Sequence, residues 1–221
     1  MPLIAIIGAG PGLGLEIARA FGRKGFDIAL VARTQAKLDA LADTLTGEGF
    51  RARGFAADVS RPDTITAALG RIKADLGPID VLEFSPADPT LVPVDVLEVS
   101  PENLQQQIDF YIGGALRAIG DVLPDMVAAG NGTILVTTGG GSISPMPFLG
   151  NVNIAAAGLR NWVLNLHNAL EPKGVYVAHV GITALIGAGH PEAEPDVIAK
   201  AYTTLYDERR DAELHYVAYD A

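Results

Sequence analysis

Short runs of β-branched and other apolar residues alternate along the chain with longer stretches whose apolar residues recur every three or four positions. The short runs predict strands over residues 3–7, 27–31, 52–57, 81–84, 133–137, 175–180 and 214–219. The stretches between them predict helices. One carries Leu38, Leu41 and Leu45, and the next carries Ile65, Ala68, Leu69, Ile72 and Leu76. Two longer ones carry Leu104, Ile108, Ile112 and Ile119, then Leu159, Val163, Leu166 and Leu170. Ser60 followed by Asp63 predicts a cap for the third crossover helix. Consecutive strand–helix units with right-handed crossovers build an α/β fold of the Rossmann type. This is a doubly wound parallel sheet with expected strand order 3-2-1-4-5-6-7. No repeat or linker interrupts it, so residues 1–221 are expected to form one nucleotide-binding domain.

Composition narrows the function more than the fold. Sixteen basic against 26 acidic residues give a net charge of −10 with no Lys/Arg cluster, which argues against nucleic acid or an anionic membrane as partner. The absence of cysteine removes disulfides, thiol nucleophiles and Cys-ligated zinc. His179 and His190 have no suitably spaced second ligand, so no metal site is expected. No signal-peptide pattern or membrane-length apolar run is present, and a cytoplasmic location is expected.

The chemistry concentrates first in Gly8-Ala9-Gly10-Pro11-Gly12-Leu13-Gly14, which follows a strand and opens a helix. Backbone N–H groups at a helix start can meet a pyrophosphate directly. Gly8 permits the tight turn, Gly12 the approach of phosphates, and Gly14 close packing of the helix on the sheet. A strict G-x-G-x-x-G would need glycine at Leu13, so the spacing here is G-x-x-x-G-x-G. That spacing resembles the short-chain dehydrogenase/reductase family. Val31-Ala32-Arg33, Asp58-Val59, Ile79-Asp80-Val81-Leu82, Gly132-Thr133-Ile134 and Glu171-Pro172-Lys173-Gly174-Val175 follow in that family's order over nearly the whole chain.

The resemblance implies a dinucleotide held by Gly8, Gly10, Gly12, Leu13, Gly14, Arg33, Thr34, Asp58 and Val59. Arg33 stands where an acidic residue would bind the ribose hydroxyls of NAD. A cation there accommodates a 2′-phosphate and Thr34 adds a hydroxyl, so NADP(H) is favoured over NAD(H). The alternatives are a solvated arginine and, for Asp58, a strand-end turn residue.

At the catalytic end the resemblance breaks. The family uses Tyr as proton donor, a Lys four residues on, a polarising Ser and an Asn. Aligned from Ala157 to Asn161, this chain has Val152 for Tyr, Ala156 for Lys, Gly139 for Ser and Tyr111 for Asn. Phe84-Ser85-Pro86-Ala87 and Val180-Gly181 replace two further landmarks. Two functions stay open: an atypical oxidoreductase acting on a small carbonyl or alcohol, and an inactive dinucleotide-binding sensor or structural partner. Tyr111, Thr138, Ser142 and Asn153 are the catalytic candidates, although Tyr111 also continues an apolar stripe that would pack it in the core. Glu83 reads as a paired structural carboxylate or a cleft residue, Asn151 as a substrate contact or helix cap, and His167 as a helix-face residue.

A short segment, 181–194, precedes a helix starting near Pro195. It implies an open pocket edged by Pro145-Met146-Pro147-Phe148 and Leu185-Ile186, suited to a small apolar ligand. The resemblance implies a homodimer or homotetramer through residues 102–129 and 151–170, with Trp162 either anchoring that surface or buried within the monomer.

Overall fold

The computed structural model describes residues 1–219. Its strands are β1 (Leu3–Ile7), β2 (Asp27–Ala32), β3 (Ala52–Ala56), β4 (Val81–Phe84), β5 (Gly132–Gly139), β6 (Val175–Ala184) and β7 (Glu213–Ala218). They form a seven-stranded sheet in the order β3-β2-β1-β4-β5-β6-β7, parallel throughout, as the alternation of patterns predicts. The helices are α1 (Leu13–Arg23), α2 (Gln35–Gly47), α3 (Pro62–Leu76), α4 (Pro101–Gln107), α5 (Gly114–Ala129), α6 (Gly150–Leu170) and α7 (Pro195–Glu208). Among the described residues no helix is long and apolar enough to cross a membrane.

Both sheet faces are covered, which is why the strands read as almost unbroken apolar runs. Side chains alternate between two cores. Leu3, Ala5, Ile7, Ile134, Val136, Val175 and Val177 pack with α3, α5 and α6. Ile4, Ile6, Leu135, Tyr176, Ala178 and Val180 pack with α1, α2 and α7. Phe21, Phe26 and Tyr206 meet edge to face at 5.2–5.5 Å and seat α7 against α1.

Several expectations need correction. Strand β3 ends at Ala56, β5 continues through Thr138 and Gly139, and β6 continues to Ala184, which shortens the expected lid to the residues after it. Ser60 caps nothing. Its hydroxyl donates to Asp58 (2.7 Å), while Arg61 is the N-cap and Pro62 opens α3, where a missing N–H costs nothing. The long periodic stretch over 104–119 is not one α-helix. A π-helical segment, Ile108–Gly113, inserts between α4 and α5, because the wide turn adds a residue that the three-to-four period does not reveal.

Glu83 is a further correction. It lies on β4 with no accessible surface, yet among the described residues no cation pairs with it. Ser85 donates to one carboxyl oxygen at 2.8 Å and Thr137 to the other at 3.1 Å, and Thr137 shares a 2.7 Å hydrogen bond with Tyr202 of α7. Burial outweighs these hydroxyls and raises the carboxyl from 4.5 to about 8, so it is neutral at pH 7.

Two stability predictions follow from these elements. Gly8 has φ +105°, and a Cβ there would lie 2.6 Å from the Ser85 carbonyl carbon, whereas a Cβ on Gly12 meets nothing within 4 Å. Gly8→Ala should therefore lower the unfolding free energy by about 1–3 kcal/mol in urea titrations, and Gly12→Ala by less than about 1 kcal/mol. For Glu83, the unfolded state ionises first as pH rises, so it holds fewer protons than the native state. Stability contributed by the neutral acid is complete below 4.5 and is lost progressively up to about pH 8. The native protein should lose up to about 1.4 kcal/mol per pH unit through this window, and Glu83→Gln should flatten that slope. Identical slopes in the two proteins would exclude a neutral Glu83.

Candidate cofactor cleft and active site

The glycine turn is tied to its neighbours by backbone bonds. The N–H groups of Gly8 and Ala9 both donate to the Val31 carbonyl, at 2.9 and 3.1 Å, and Leu15 N–H returns to Gly10 at 3.0 Å. Gly12, the N-cap of α1, has no side chain to cap it, so the first-turn donor end can meet an anion. Gly14 packs the helix onto the turn, its would-be Cβ only 3.1 Å from the Ala9 Cα.

Beside this turn, at the carboxyl ends of β1, β2 and β3, lies a cavity of about 760 Å³. Gly8 to Pro11 form one wall, Ala32 to Thr34 a second, and Asp58 with Val59 a third. Pro86, Ala87 and Phe110 close it from the loop after β4 and from the π-helical segment. Gly12, Leu13 and Gly14 belong to the start of α1 and lie outside the cavity lining. The structure thus brings together Gly8, Gly10, Arg33, Thr34, Asp58 and Val59 of the nine residues singled out for a dinucleotide.

Arg33 is half exposed, and its Nη1 lies 2.7 Å from Asp88. This ion pair ties the end of β2 to the loop after β4. Thr90 N–H and hydroxyl donations, with Arg33 beside them, hold the Asp88 carboxyl below the usual carboxylate range. Asp58 accepts from Ser60 N–H (3.0 Å) and hydroxyl, so the residue shapes the turn after β3 while lining the cavity. Lys37, on the first turn of α2, also lines the cavity. It is a second cation that the strand-end reading passed over, and its distance of four residues from Arg33 is the signal that points to it.

The opposite end of the site is built differently. Val152 is half-buried and Ala156 buried on α6, and neither carries an ionisable group. Tyr111 packs edge to face on Phe110 at 5.1 Å and against the apolar core, outside the cavity lining. Burial first, and Asp88 second, raise its phenol above the ordinary value. Asn153 donates to the Met146 carbonyl at 2.9 Å, and its side chain occupies the space a Cβ on Gly141 would need.

Asn151 is buried in the first turn of α6 and is not its cap, a position held by Leu149. Its side chain binds the backbone of Val92, Val94 and Asn103, which fixes the loop before α4. Trp162 is half-buried against the core. Phe148 and Leu185 of the expected rim are exposed and do not line the cavity. His167 bonds the Val177 carbonyl through Nδ1. Among the described residues no group of three or more His, Asp or Glu is placed to hold a metal ion.

Thr138 and Ser142 are buried and 2.9 Å apart, with Thr138 donating to Ser142. Thr138 is also 2.8 Å from His179 Nε2, and His179 Nδ1 is 3.0 Å from Glu213. Sequence reasoning considered His179 only as a metal ligand, since the partners that define it lie 34 and 41 residues away.

Comparison with known proteins agrees with this architecture. The family model for short chain dehydrogenase matches residues 2–186. A very-long-chain 3-oxoacyl-CoA reductase of Neurospora crassa is 32% identical over 184 residues, covering 82% of this chain and 55% of the relative. The chain spans about half the length of the curated relatives it matches. An alcohol dehydrogenase from Thermococcus sibiricus, solved with 5-hydroxy-NADP, superposes with TM-score 0.84 at 25% identity, covering 97% of this chain and 95% of that one. An NADPH-bound short chain oxidoreductase from Pseudomonas aeruginosa PAO1, described as containing an atypical catalytic center, superposes with TM-score 0.86 at 18% identity over 98% and 94% of the two chains. The ordered motifs, the strand order and the matched family model together place this chain in the short chain dehydrogenase family.

Proposed function

We propose that this chain is an NADP(H)-dependent oxidoreductase acting on a small carbonyl or alcohol through an atypical active site. The observation that carries the reading is the cavity at the ends of β1–β3, which the glycine turn Gly8–Pro11 and two cations, Arg33 and Lys37, line together. Its volume suits the adenosine half of a dinucleotide. The close fit of Gly8 against Ser85 and Pro86 leaves backbone rather than side chains on that wall. NADP(H), when bound, supplies the hydride chemistry. Of the chain's own residues, the glycine turn would hold the pyrophosphate, the cavity residues Leu41 and Val59 would offer apolar surface to the adenine, and Arg33 and Lys37 would hold a 2′-phosphate. The named reductase relative and the NADP-bound solved structures support the same reading.

In this reading Tyr111 is a packing residue. Exposed Leu116 on α5 and Ile154 on α6 support a homodimer or homotetramer through these helices. A second reading, a dinucleotide-binding protein without turnover, is favoured by one observation, the non-ionisable pair Val152 and Ala156.

Fluorescence titration with NADPH and NADH, followed by a screen of small ketones and aldehydes, separates the two. NADPH should bind more tightly than NADH. Arg33→Ala should weaken NADPH by about 10–100-fold, the loss of one charge-assisted contact, and leave NADH little changed. Equal effects on both nucleotides would remove Arg33 from 2′-phosphate recognition. Tight NADPH binding without turnover of any carbonyl would establish the second reading.

A further inference from the structure

An oxidoreductase lacking the Tyr and Lys of its family must protonate the product oxygen by another route. Helix α6 offers nothing at Val152 or Ala156, but a line of polar side chains lies in the layer between that helix and the sheet. Three adjacent strands contribute to it. Register places His179 of β6 directly beside Glu213 of β7, and Val136 of β5 opposite His179, so Thr138 lies one pleat further along the same face. His179 shares this face with Val175 and Val177, which pack under α6.

The line is continuous. Arg160, from α6, grips Glu213 with both Nε and Nη2. Glu213 meets His179 Nδ1 at 3.0 Å, His179 Nε2 meets Thr138 Oγ1 at 2.8 Å, and Thr138 donates to Ser142 Oγ at 2.9 Å. Since Thr138 is the donor in that last bond, the Ser142 hydrogen is not used within the line. Exposure is graded along it. The Glu213 side chain is 24% exposed and His179 is 0% exposed. Thr138 and Ser142 are buried at the carboxyl end of the sheet, the end at which doubly wound folds bind ligands. An apolar layer needs no imidazole here, and an unpartnered one would be costly. Glu213 accepts from Arg160 and His179, while the imidazole and the two hydroxyls can each accept and donate, so the line runs from the partly exposed Glu213 to the end of β5.

We propose that Glu213, His179, Thr138 and Ser142 form a proton-supply line that serves the substrate oxygen in place of the family's Tyr–Lys pair. The proposal rests on the oxidoreductase reading. In the reducing direction the carbonyl carbon gains the hydride, with oxidation of the dihydronicotinamide, and the carbonyl oxygen takes the Ser142 hydroxyl proton. Ser142 regains a proton from Thr138, and Thr138 takes the Nε2 proton of the His179 imidazolium, whose Nδ1–H stays on the Glu213 carboxylate; the neutral ring left behind takes up a proton from water between turnovers. Arg160 is a positioning residue that fixes the Glu213 carboxylate.

The charged and titratable groups facing His179 are Glu213 and His215 from β7 and Arg160 from α6. Burial, with Arg160 and His215, lowers the imidazole below its ordinary value, and Glu213 opposes them. The form that supplies a proton, with Nδ1–H on Glu213 and Nε2–H on Thr138, is the imidazolium, and the lowered value means that it gives the proton up readily.

Two measurements test the line. In the protein without nucleotide, ¹⁵N NMR of the His179 ring should show a single titration below the ordinary histidine range, and Glu213→Gln should move it lower still. A ring held in one tautomer, unmoved by pH and by Glu213→Gln, would overturn the proposal. In carbonyl reduction, Thr138→Val and His179→Gln should each lower kcat by about 100-fold with NADPH affinity unchanged. Both should also abolish the fall in rate as pH rises through the His179 titration. Thr138→Ser, which restores the hydroxyl, should recover most of the loss and guards against a folding defect in the other variants. A parent enzyme that turns over while these variants behave like it would sink the line alone, as would loss of turnover in Tyr111→Phe instead. A parent that binds NADPH and reduces nothing would sink the oxidoreductase reading and the line with it.

Discussion

A parallel sheet covered on both faces leaves no dry place for an unpartnered charge, and much of this molecule is arranged around that constraint. The strands satisfy it with hydrocarbon at nearly every position. The exceptions obey it in two different ways. Glu83 meets hydroxyls but no cation, and it stays protonated. His179 bonds Glu213, a partly exposed carboxylate that Arg160 also holds. One carboxyl is insulated from solvent, while one imidazole is connected to it. The difference lies in strand position, because β4 is central and β7 is the sheet edge.

The two ends of the site also differ in what holds them. The nucleotide end is a backbone construction in which the glycine turn is pinned to Val31 and the loop after β4 presses on Gly8. The side chains that line it, Arg33 and Lys37 among them, add charge to that backbone frame. At the other end the backbone is equally regular, but α6 carries neither Tyr nor Lys.

Legibility in the sequence follows the range of the interactions. Strand order and the glycine turn were readable because they depend on local period and on residues within one turn of each other. The boundary at Ser60 misled because a hydroxyl three residues before an acid can cap a helix or close an Asx turn, and Pro62 settled it one residue later. Neutral Glu83 was not readable, since Thr137 and Tyr202 come from distant elements. The same holds for the chain of groups through His179. Tyr111 was readable in outline: its place in the apolar stripe is real, although the helix carrying it is wider than an α-helix there.

That wide turn separates two registers within what looks like one helix. In an α-helix each residue advances the face by about 100°, so an inserted residue rotates everything beyond it relative to everything before. The segment Ile108–Gly113 places Phe110 on the cavity wall and Tyr111 against the core. It also lets the α4 side and the α5 side be tuned separately. The surface of α5 can change without turning Phe110 away from the cavity. Insertion length, more than residue identity, is the variable that selects which aromatic ring lines that cavity.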